Sequence, residues 1–132
     1  MAEFVMKDLV KQAGREDEFY IESAATSTEE LGNPVYPPAR QKLAEHGLTC
    51  KGKTARQMTW RDYDAFDLLI GMDTWNIRNM ERISGGDMKH KIHRLLDYTS
   101  RPGDVADPWY TDDFDATWRD VLEGCQCLLN EL

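Results

Sequence analysis

The stretch 67-DLLIGMD-73 has the strongest bearing on the fold. It is the most continuous apolar run in the chain, and a short run of this kind is typical of a strand buried on both faces of a parallel sheet. Asp73 ends the run and is well placed to cap the next segment, 74-TWNIRNMERI-83, which has the pattern of a helix. The stretch therefore predicts a β-strand that leads directly into an α-helix.

Further strands and helices are predicted on both sides of this unit. Strand formers occur in 18-EFYIESAAT-26 and 91-KIHRLLDY-98. Apolar residues at helical spacing, together with Pro at a helix start and Gly at a helix end, predict helices over residues 2–13, 37–47 and 114–132. This alternation of helices and strands predicts an α/β sandwich with a parallel sheet, in which a ligand site lies beyond the carboxyl ends of the strands.

Length and charge limit the possible partners. A chain of 132 residues is expected to form a single domain, 1–132. Its net charge of -8 argues against nucleic acid or an anionic membrane as a partner, because either would need clustered Lys and Arg. No run approaches the roughly 18 to 20 apolar residues of a membrane span, and the first residues, MAEFVMKDLV, do not resemble a signal peptide. The sequence therefore predicts a cytoplasmic protein.

Two phosphate-binding patterns overlap in 46-HGLTCKGKTARQ-57. Residues 47–54 fit G-x-x-x-x-G-K-T, the pattern of nucleotide-binding loops, and residues 50–56 fit C-x-x-x-x-x-R, the pattern of cysteine-dependent phosphatases. Both kinds of loop need a strand before them and a helix N-terminus after them. In this chain the segment is preceded by a predicted helix instead of a strand, and Gly47 is expected to terminate that helix. We therefore expect both matches to be coincidental.

The remaining cysteines and histidines give no metal pattern. Cys50, Cys125 and Cys127 show no repeated spacing typical of a zinc site. Cys125 and Cys127 are interpreted as small, buried or half-buried helix residues, and His90 and His93 as ordinary strand side chains. No metal and no cofactor are expected.

The chain as a whole resembles the low-molecular-weight protein tyrosine phosphatases. The resemblance is carried, in order, by AEFVMKDLV, FYIESAATS, GNPVYPPARQKLAEHGL, ARQMT, FDLLIGMDTWNIRNM and DPWYTDDFDATW. It implies a three-layer α/β sandwich of the phosphotyrosine protein phosphatase I type. It also implies a metal-free hydrolase that removes phosphate from phosphotyrosine proteins or small aryl phosphates through a cysteinyl-phosphate intermediate.

The resemblance also implies roles for particular residues. Asp107 in DPWY matches the general acid of the family, with a simple turn before the following proline as the alternative. Trp109 and Tyr110 match an aromatic pair that flanks the substrate pocket, although either could be a core residue instead. Ser23 matches a residue that supports the nucleophile loop, and Asp73 lies on the rim of the same face; for both, a purely structural role stays open.

The resemblance departs from the family pattern at Met1. Family members begin with a central strand and a C-x-x-x-x-x-R-S loop followed by Pro, and Met1 aligns after that loop. We therefore expect the first central strand, the nucleophile and the phosphate-binding Arg to be missing from this chain. Cys50 and Arg56 cannot take those two roles, because their flanking residues match another part of the family.

This departure leaves two alternatives. The chain could be part of a phosphatase whose gene start was set too late, in which case it is inactive alone. It could also be a noncatalytic remnant that binds a partner or assembles with itself, since a missing inner strand leaves backbone groups free to pair with another chain. The codons before Met1 would separate the two. The physiological substrate, including a preference for phosphotyrosine or phosphoarginine, stays open.

Overall fold

The structure, a computed structural model, describes residues 1–26, 36–50, 52–106 and 113–132. Within these residues the chain forms seven regular elements, and short 3-10 helices occur at Glu16–Glu18 and Leu95–Tyr98. In chain order the elements are α1 (Ala2–Gln12), α2 (Pro37–Glu45), α3 (Trp60–Ala65), β1 (Leu69–Gly71), α4 (Thr74–Ser84), β2 (Ile92–Arg94) and α5 (Phe114–Glu131).

Strands β1 and β2 pair in parallel, with Leu69 opposite Ile92 and Gly71 opposite Arg94. The strand predicted within 67–73 is thus confirmed in its central part, and the strand predicted within 91–98 in its first half. The second strand ends earlier than predicted because Leu95 and Leu96 are both buried, 1% and 3% exposed. Neighbouring residues of a strand point to opposite faces, whereas a 3-10 turn lets both leucines enter the core.

The strand predicted over residues 18–26 is wrong for the part of the chain that the structure describes. Its first residue ends the 3-10 helix Glu16–Glu18, and only Ala25 forms a bridge, in parallel with Gln57. Ala25 N donates to Arg56 O at 2.7 Å, and Met58 N donates to Ala25 O at 2.8 Å. The segment has strand-forming residues, but a strand also needs a continuous ladder partner, which these two bonds do not make.

Helices cover both faces of the sheet. Leu69 and Ile92 pack with Met58, Tyr63 and Met80, in a cluster that includes α3 and α4 residues. Leu68 and Ile70, which alternate with Leu69 along the chain, pack against a larger cluster built from α1, α2 and α5. The predicted α/β sandwich is confirmed as three layers, with the sheet in the middle. The described residues contain no helix that is both long and apolar enough to cross a membrane.

One glycine sets the distance between α5 and the sheet layer. Gly124 lies in the buried part of α5, and a Cβ added there would lie 2.4 Å from Leu95 Cγ. Because nonbonded carbon atoms normally stay 3.5 to 4.0 Å apart, only glycine fits against Leu95 at this crossing.

Two predicted helix ends are confirmed by their hydrogen bonds. Gly47 has φ of 76°; Gly47 N donates to Ala44 O at 3.0 Å and Leu48 N donates to Leu43 O at 2.9 Å. These are the two bonds of a Schellman motif, which ends a helix at a left-handed residue. At the start of α4, the Asp73 carboxylate accepts a bond from Asn76 N at 2.7 Å, so Asp73 is the predicted cap.

Candidate functional site

The structure describes only some of the residues predicted to form the site. Asp107, Trp109 and Tyr110 lie outside the described residues, and their roles stay predictions. Ser23 and Asp73 are described, and each is held by a different helix. Asp73 caps α4, whereas the Ser23 hydroxyl donates to Glu3 of α1.

Glu3 is the centre of a buried ionic group. Its side chain is 4% exposed and accepts hydrogen bonds from Lys7 Nζ at 2.6 Å, Ser23 Oγ at 2.6 Å and Lys53 Nζ at 2.9 Å. Burial alone would raise the pKa of Glu3, but these three donors outweigh it and lower the pKa to about 2. Glu3 is therefore ionised at neutral pH and links α1 to two distant segments.

Sequence reasoning missed Glu3. The spacing of Glu3 and Lys7 is a signal for an ion pair on one helix face, but it does not show that Glu3 is buried. The burial depends on Ser23 and Lys53, which are 20 and 50 positions away along the chain. Ser23 thus supports the first turn of α1, and its role in supporting the nucleophile loop stays a prediction.

Two cations of segment 46–57, Lys53 and Arg56, are paired with carboxylates. Lys53 binds Glu3, and the Arg56 guanidinium makes two bonds to Asp62, both at 3.1 Å, and one to Glu22 at 2.9 Å. The chain enters the segment from helix α2 rather than from a strand. This arrangement supports the prediction that neither overlapping pattern forms a phosphate-binding loop.

The three cysteines are also unlike a phosphatase nucleophile. Cys50 is 5% exposed and Cys125 is 2% exposed. Burial raises the pKa of the Cys125 thiol to about 12, so this thiol stays protonated at neutral pH. Cys127 is half-buried on α5. Among the described residues, no cluster of His, Cys, Asp and Glu is arranged to hold a metal ion.

Beyond the carboxyl ends of the strands, Asp104 joins two elements. Its Oδ1 accepts bonds from Thr74 N at 2.9 Å, Thr74 Oγ1 at 3.0 Å and Arg94 Nη1 at 3.1 Å. Burial raises the pKa of Asp104, but the bonds from Thr74 and Arg94 outweigh it, so the pKa is lowered. A shallow pocket of about 370 Å³ opens beside this contact, lined by Thr74, Ile77, Ile92, His93, Arg94 and Asp97.

The next two residues are fixed through their main chain. Val105 N donates to Met72 O, just past β1, at 2.8 Å. Ala106 N donates to Asp120 Oδ2 at 3.1 Å, and Ala106 O accepts a bond from Thr117 Oγ1 at 2.7 Å. Residues 104–106 are thus held by the end of β1, the start of α4 and the face of α5, immediately before the predicted general acid Asp107.

Sequence reasoning missed these anchoring residues. Thr117 and Asp120 are three positions apart on α5 and so share one helix face. That spacing was the available signal, but it does not reveal that the loop before Asp107 is their partner.

Comparison with known proteins places the chain in a family. The profile of the family described as "Low molecular weight phosphotyrosine protein phosphatase" matches residues 1–132. The low molecular weight protein-tyrosine-phosphatase YfkJ of Bacillus subtilis is 35% identical over 131 residues, covering 98% of this chain and 84% of YfkJ. The low molecular weight phosphotyrosine protein phosphatase of Gallus gallus is 34% identical over 136 residues, covering 99% of this chain and 85% of that protein.

Solved structures agree with the sequence comparison. The crystal structure of YfkJ matches with a TM-score of 0.93 at 33% identity, covering 98% of this chain and 83% of that one. SP-PTP, a low molecular weight protein tyrosine phosphatase from Streptococcus pyogenes, matches with a TM-score of 0.87 at 39% identity, covering 99% and 82%. The chain belongs to the low molecular weight phosphotyrosine protein phosphatase family.

Proposed function

We propose that this domain takes part in hydrolysis of phosphotyrosine in proteins, or of small aryl phosphates, through a cysteinyl-phosphate intermediate. The observation that carries the proposal is the family match over residues 1–132, supported by 35% identity to a named tyrosine phosphatase. The relatives named above are all phosphatases, which favours this function over a noncatalytic binding module.

In this proposal Asp107 is the general acid. It protonates the phenolate oxygen as the P–O bond to the leaving group breaks, and it then removes a proton from the water that hydrolyses the cysteinyl phosphate. Trp109 and Tyr110 flank the phenyl ring, Ser23 supports the nucleophile loop by hydrogen bonding, and Asp73 lies on the rim of the same face. These roles follow from the resemblance of DPWY, ESAAT and FDLLIGMDTWNIRNM to the family.

We also propose that the nucleophile is not one of the three cysteines of this chain. Cys125 is buried with a raised pKa, Cys50 is buried in a segment whose Arg56 is paired with Asp62, and Cys127 lies on α5. A cysteine nucleophile needs an accessible thiolate among anion-binding amides. In this proposal the nucleophile loop and the first central strand come from residues outside the 132, and a single phosphatase domain includes 1–132.

The first experiment is hydrolysis of p-nitrophenyl phosphate by the 132-residue chain and by the chain with any residues encoded in frame before Met1. We expect turnover only in the longer chain, and no effect of Cys50→Ser on it. Turnover by the 132 residues that is lost in Cys50→Ser would refute the assignment of the nucleophile. We likewise expect no ATP or GTP binding by calorimetry; micromolar binding that Lys53→Ala abolishes without lowering the unfolding midpoint would refute that.

The second experiment tests Asp107 in the active chain. A general acid contributes on the order of 10²- to 10⁴-fold to the chemical step. Asp107→Asn should therefore slow release of a poor leaving group, as from phosphotyrosine, much more than release of nitrophenolate. Vanadate binding should change little. Equal slowing of both substrates, or phosphotyrosine turnover within about twofold of the parent, would show that Asp107 is not the acid.

A cytoplasmic location stays a prediction from the sequence. So does self-association of the 132-residue chain, or its instability, through the place of the missing strand. Analytical ultracentrifugation and a thermal melt test it, and a monodisperse monomer with a cooperative melt of ordinary stability would contradict it.

A further inference from the structure

We propose that Thr117 and Asp120 of α5 are positioning residues for the general acid, because together they hold both main-chain polar groups of Ala106, the residue bonded directly to Asp107. This inference rests on the proposed role of Asp107 and adds to it the part of the structure that would set the position of that residue.

The first argument is the geometry of the peptide bond. The Ala106 carbonyl accepts a bond from Thr117 Oγ1 at 2.7 Å, and this carbonyl belongs to the peptide group between Ala106 and Asp107. A trans peptide group is planar and contains the Cα atoms of both residues. The Thr117 hydroxyl therefore restrains the Ala106 carbonyl group, which is part of the peptide bond to Asp107.

The second argument is that the anchor is rigid and shielded. Thr117 is 7% exposed and the Asp120 side chain is 16% exposed, so water competes weakly for their bonds. Asp120 Oδ2 accepts from Ala106 N while Oδ1 accepts from Arg101 Nη2 at 3.2 Å. α5 itself packs on α1 and on Leu95 in the largest cluster, which makes it a fixed support.

The third argument is that several elements hold the residues just before Asp107. Val105 N bonds to Met72 O at the end of β1, and Asp104 bonds to Thr74 at the start of α4. Asp104 accepts from the start of α4, the Val105 amide donates to the residue after β1, and Ala106 both donates to and accepts from α5. These bonds fix the described part of the loop up to Ala106, the residue bonded directly to Asp107.

The leaving-group dependence should appear in kcat/KM, which reports the step that breaks the bond to the leaving group, because hydrolysis of the cysteinyl phosphate is common to all substrates. A displacement of about 1 Å at a reacting group can cost on the order of 10²-fold in rate. Loss of the anchor should therefore lower kcat/KM by about 10- to 100-fold for phenyl phosphate, whose leaving group is poor. It should lower kcat/KM less for p-nitrophenyl phosphate, and inhibition by inorganic phosphate should change less than about twofold.

The variants come in matched pairs. Thr117→Val removes the hydroxyl and keeps the shape, whereas Thr117→Ser keeps the hydroxyl. Asp120→Ala removes the acceptor, whereas Asp120→Asn keeps an oxygen that can accept from Ala106 N. Asp115→Asn is the control, because Asp115 is on the same helix and pairs with Lys42.

The first measurement uses the active chain, with any residues encoded in frame before Met1, and does not depend on activity. Hydrogen exchange is followed at the Val105 amide, whose own acceptor, Met72 O, is unchanged by the variants. We expect exchange at Val105 to rise at least tenfold in Thr117→Val and Asp120→Ala, with exchange in the centre of α5 unchanged. No rise at Val105, or an equal rise throughout α5, would overturn the proposal.

The second measurement is the kinetics of the active chain, with Asp107→Asn as reference. We expect Thr117→Val and Asp120→Ala to show the leaving-group dependence of Asp107→Asn, and Thr117→Ser, Asp120→Asn and Asp115→Asn to keep kcat/KM within about threefold. If Asp107→Asn shows that dependence and Thr117→Val and Asp120→Ala do not, the positioning role is wrong. If Asp107→Asn itself shows none, the proposed function is at fault and the positioning role falls with it.

Discussion

The replacement Gly124→Ala should destabilise the protein, against the usual preference of helices for alanine. In an exposed helix interior, alanine is about 1 kcal/mol more favourable than glycine. At Gly124 the added Cβ would lie 2.4 Å from Leu95 Cγ and 2.9 Å from its Cδ2. Leu95 is 1% exposed, and Cγ is a branch point that cannot move by rotating a terminal methyl group.

The expected cost follows from these two opposing effects. Overpacking a buried site costs typically 1 to 3 kcal/mol, and the contact with Cγ places this site at the upper end, about 3 kcal/mol. Subtracting the helix preference of about 1 kcal/mol leaves a net loss of about 2 kcal/mol in the free energy of unfolding. The assay is urea denaturation followed by circular dichroism, with the slope of the transition checked for constancy.

Two controls isolate the contact. Gln126 is exposed on the same helix, so Gln126→Ala should be more stable than Gln126→Gly by about 1 kcal/mol. In the background Leu95→Ala, which removes the clashing atoms, Gly124→Ala should become neutral or stabilising, giving a coupling energy of about 2 to 3 kcal/mol in the double-mutant cycle. If Gly124→Ala instead stabilises the parent as much as alanine does at position 126, the close approach to Leu95 is not needed and the reasoning is refuted.

Three further predictions concern single groups. The pKa of Glu3 is about 2 in the folded chain against 4.5 when unperturbed, so as the pH falls the carboxylate is protonated first in the unfolded chain. The stabilisation from ionised Glu3 is therefore complete above pH 4.5 and is lost as the pH falls toward 2. Glu3→Gln should remove up to about 3 kcal/mol of this pH dependence of the free energy of unfolding between pH 7 and pH 2, and an unchanged dependence would contradict the prediction. Asp73→Ala should lower the free energy of unfolding, measured by urea denaturation, by about 1 kcal/mol because it removes the cap of α4. Asp73→Ser should restore most of this stability, and equal stability of the two variants would exclude capping. At pH 8 iodoacetamide should modify Cys125, with its pKa of about 12, at least tenfold more slowly than Cys127 by peptide mass spectrometry; equal rates would show that Cys125 is accessible.

The sequence predicted those parts of the fold that depend on local patterns. The apolar run at 67–73, the cap Asp73 and the terminator Gly47 each act on their immediate neighbours, so their outcome could be read from the sequence. The strand predicted at 18–26 failed because pairing depends on a distant partner, which the described residues supply only at Ala25. The early end of β2 at Arg94 follows from the burial of two adjacent leucines, which depends on where α5 packs.

The candidate site was predicted through resemblance rather than through patterns. Asp107, Trp109 and Tyr110 came from the motif DPWY, and the structure describes the chain only up to Ala106 on that side. The groups that hold the preceding residues, Thr117 and Asp120, are joined to Ala106 only by folding. Their side chains look like ordinary polar positions of a helix until the contact is seen.

The pairing of Lys53 and Arg56 affects how mutations in segment 46–57 should be interpreted. Each cation ties this segment to a carboxylate elsewhere, Lys53 to Glu3 and Arg56 to Asp62 and Glu22. Replacing either one leaves a carboxylate without its partner, and for Glu3 that carboxylate is buried. A variant such as Lys53→Ala is therefore expected to destabilise the domain. A mutational screen that measures only activity would then wrongly identify Lys53 as a phosphate-binding residue. Measuring the unfolding midpoint of each variant alongside its activity separates these two causes.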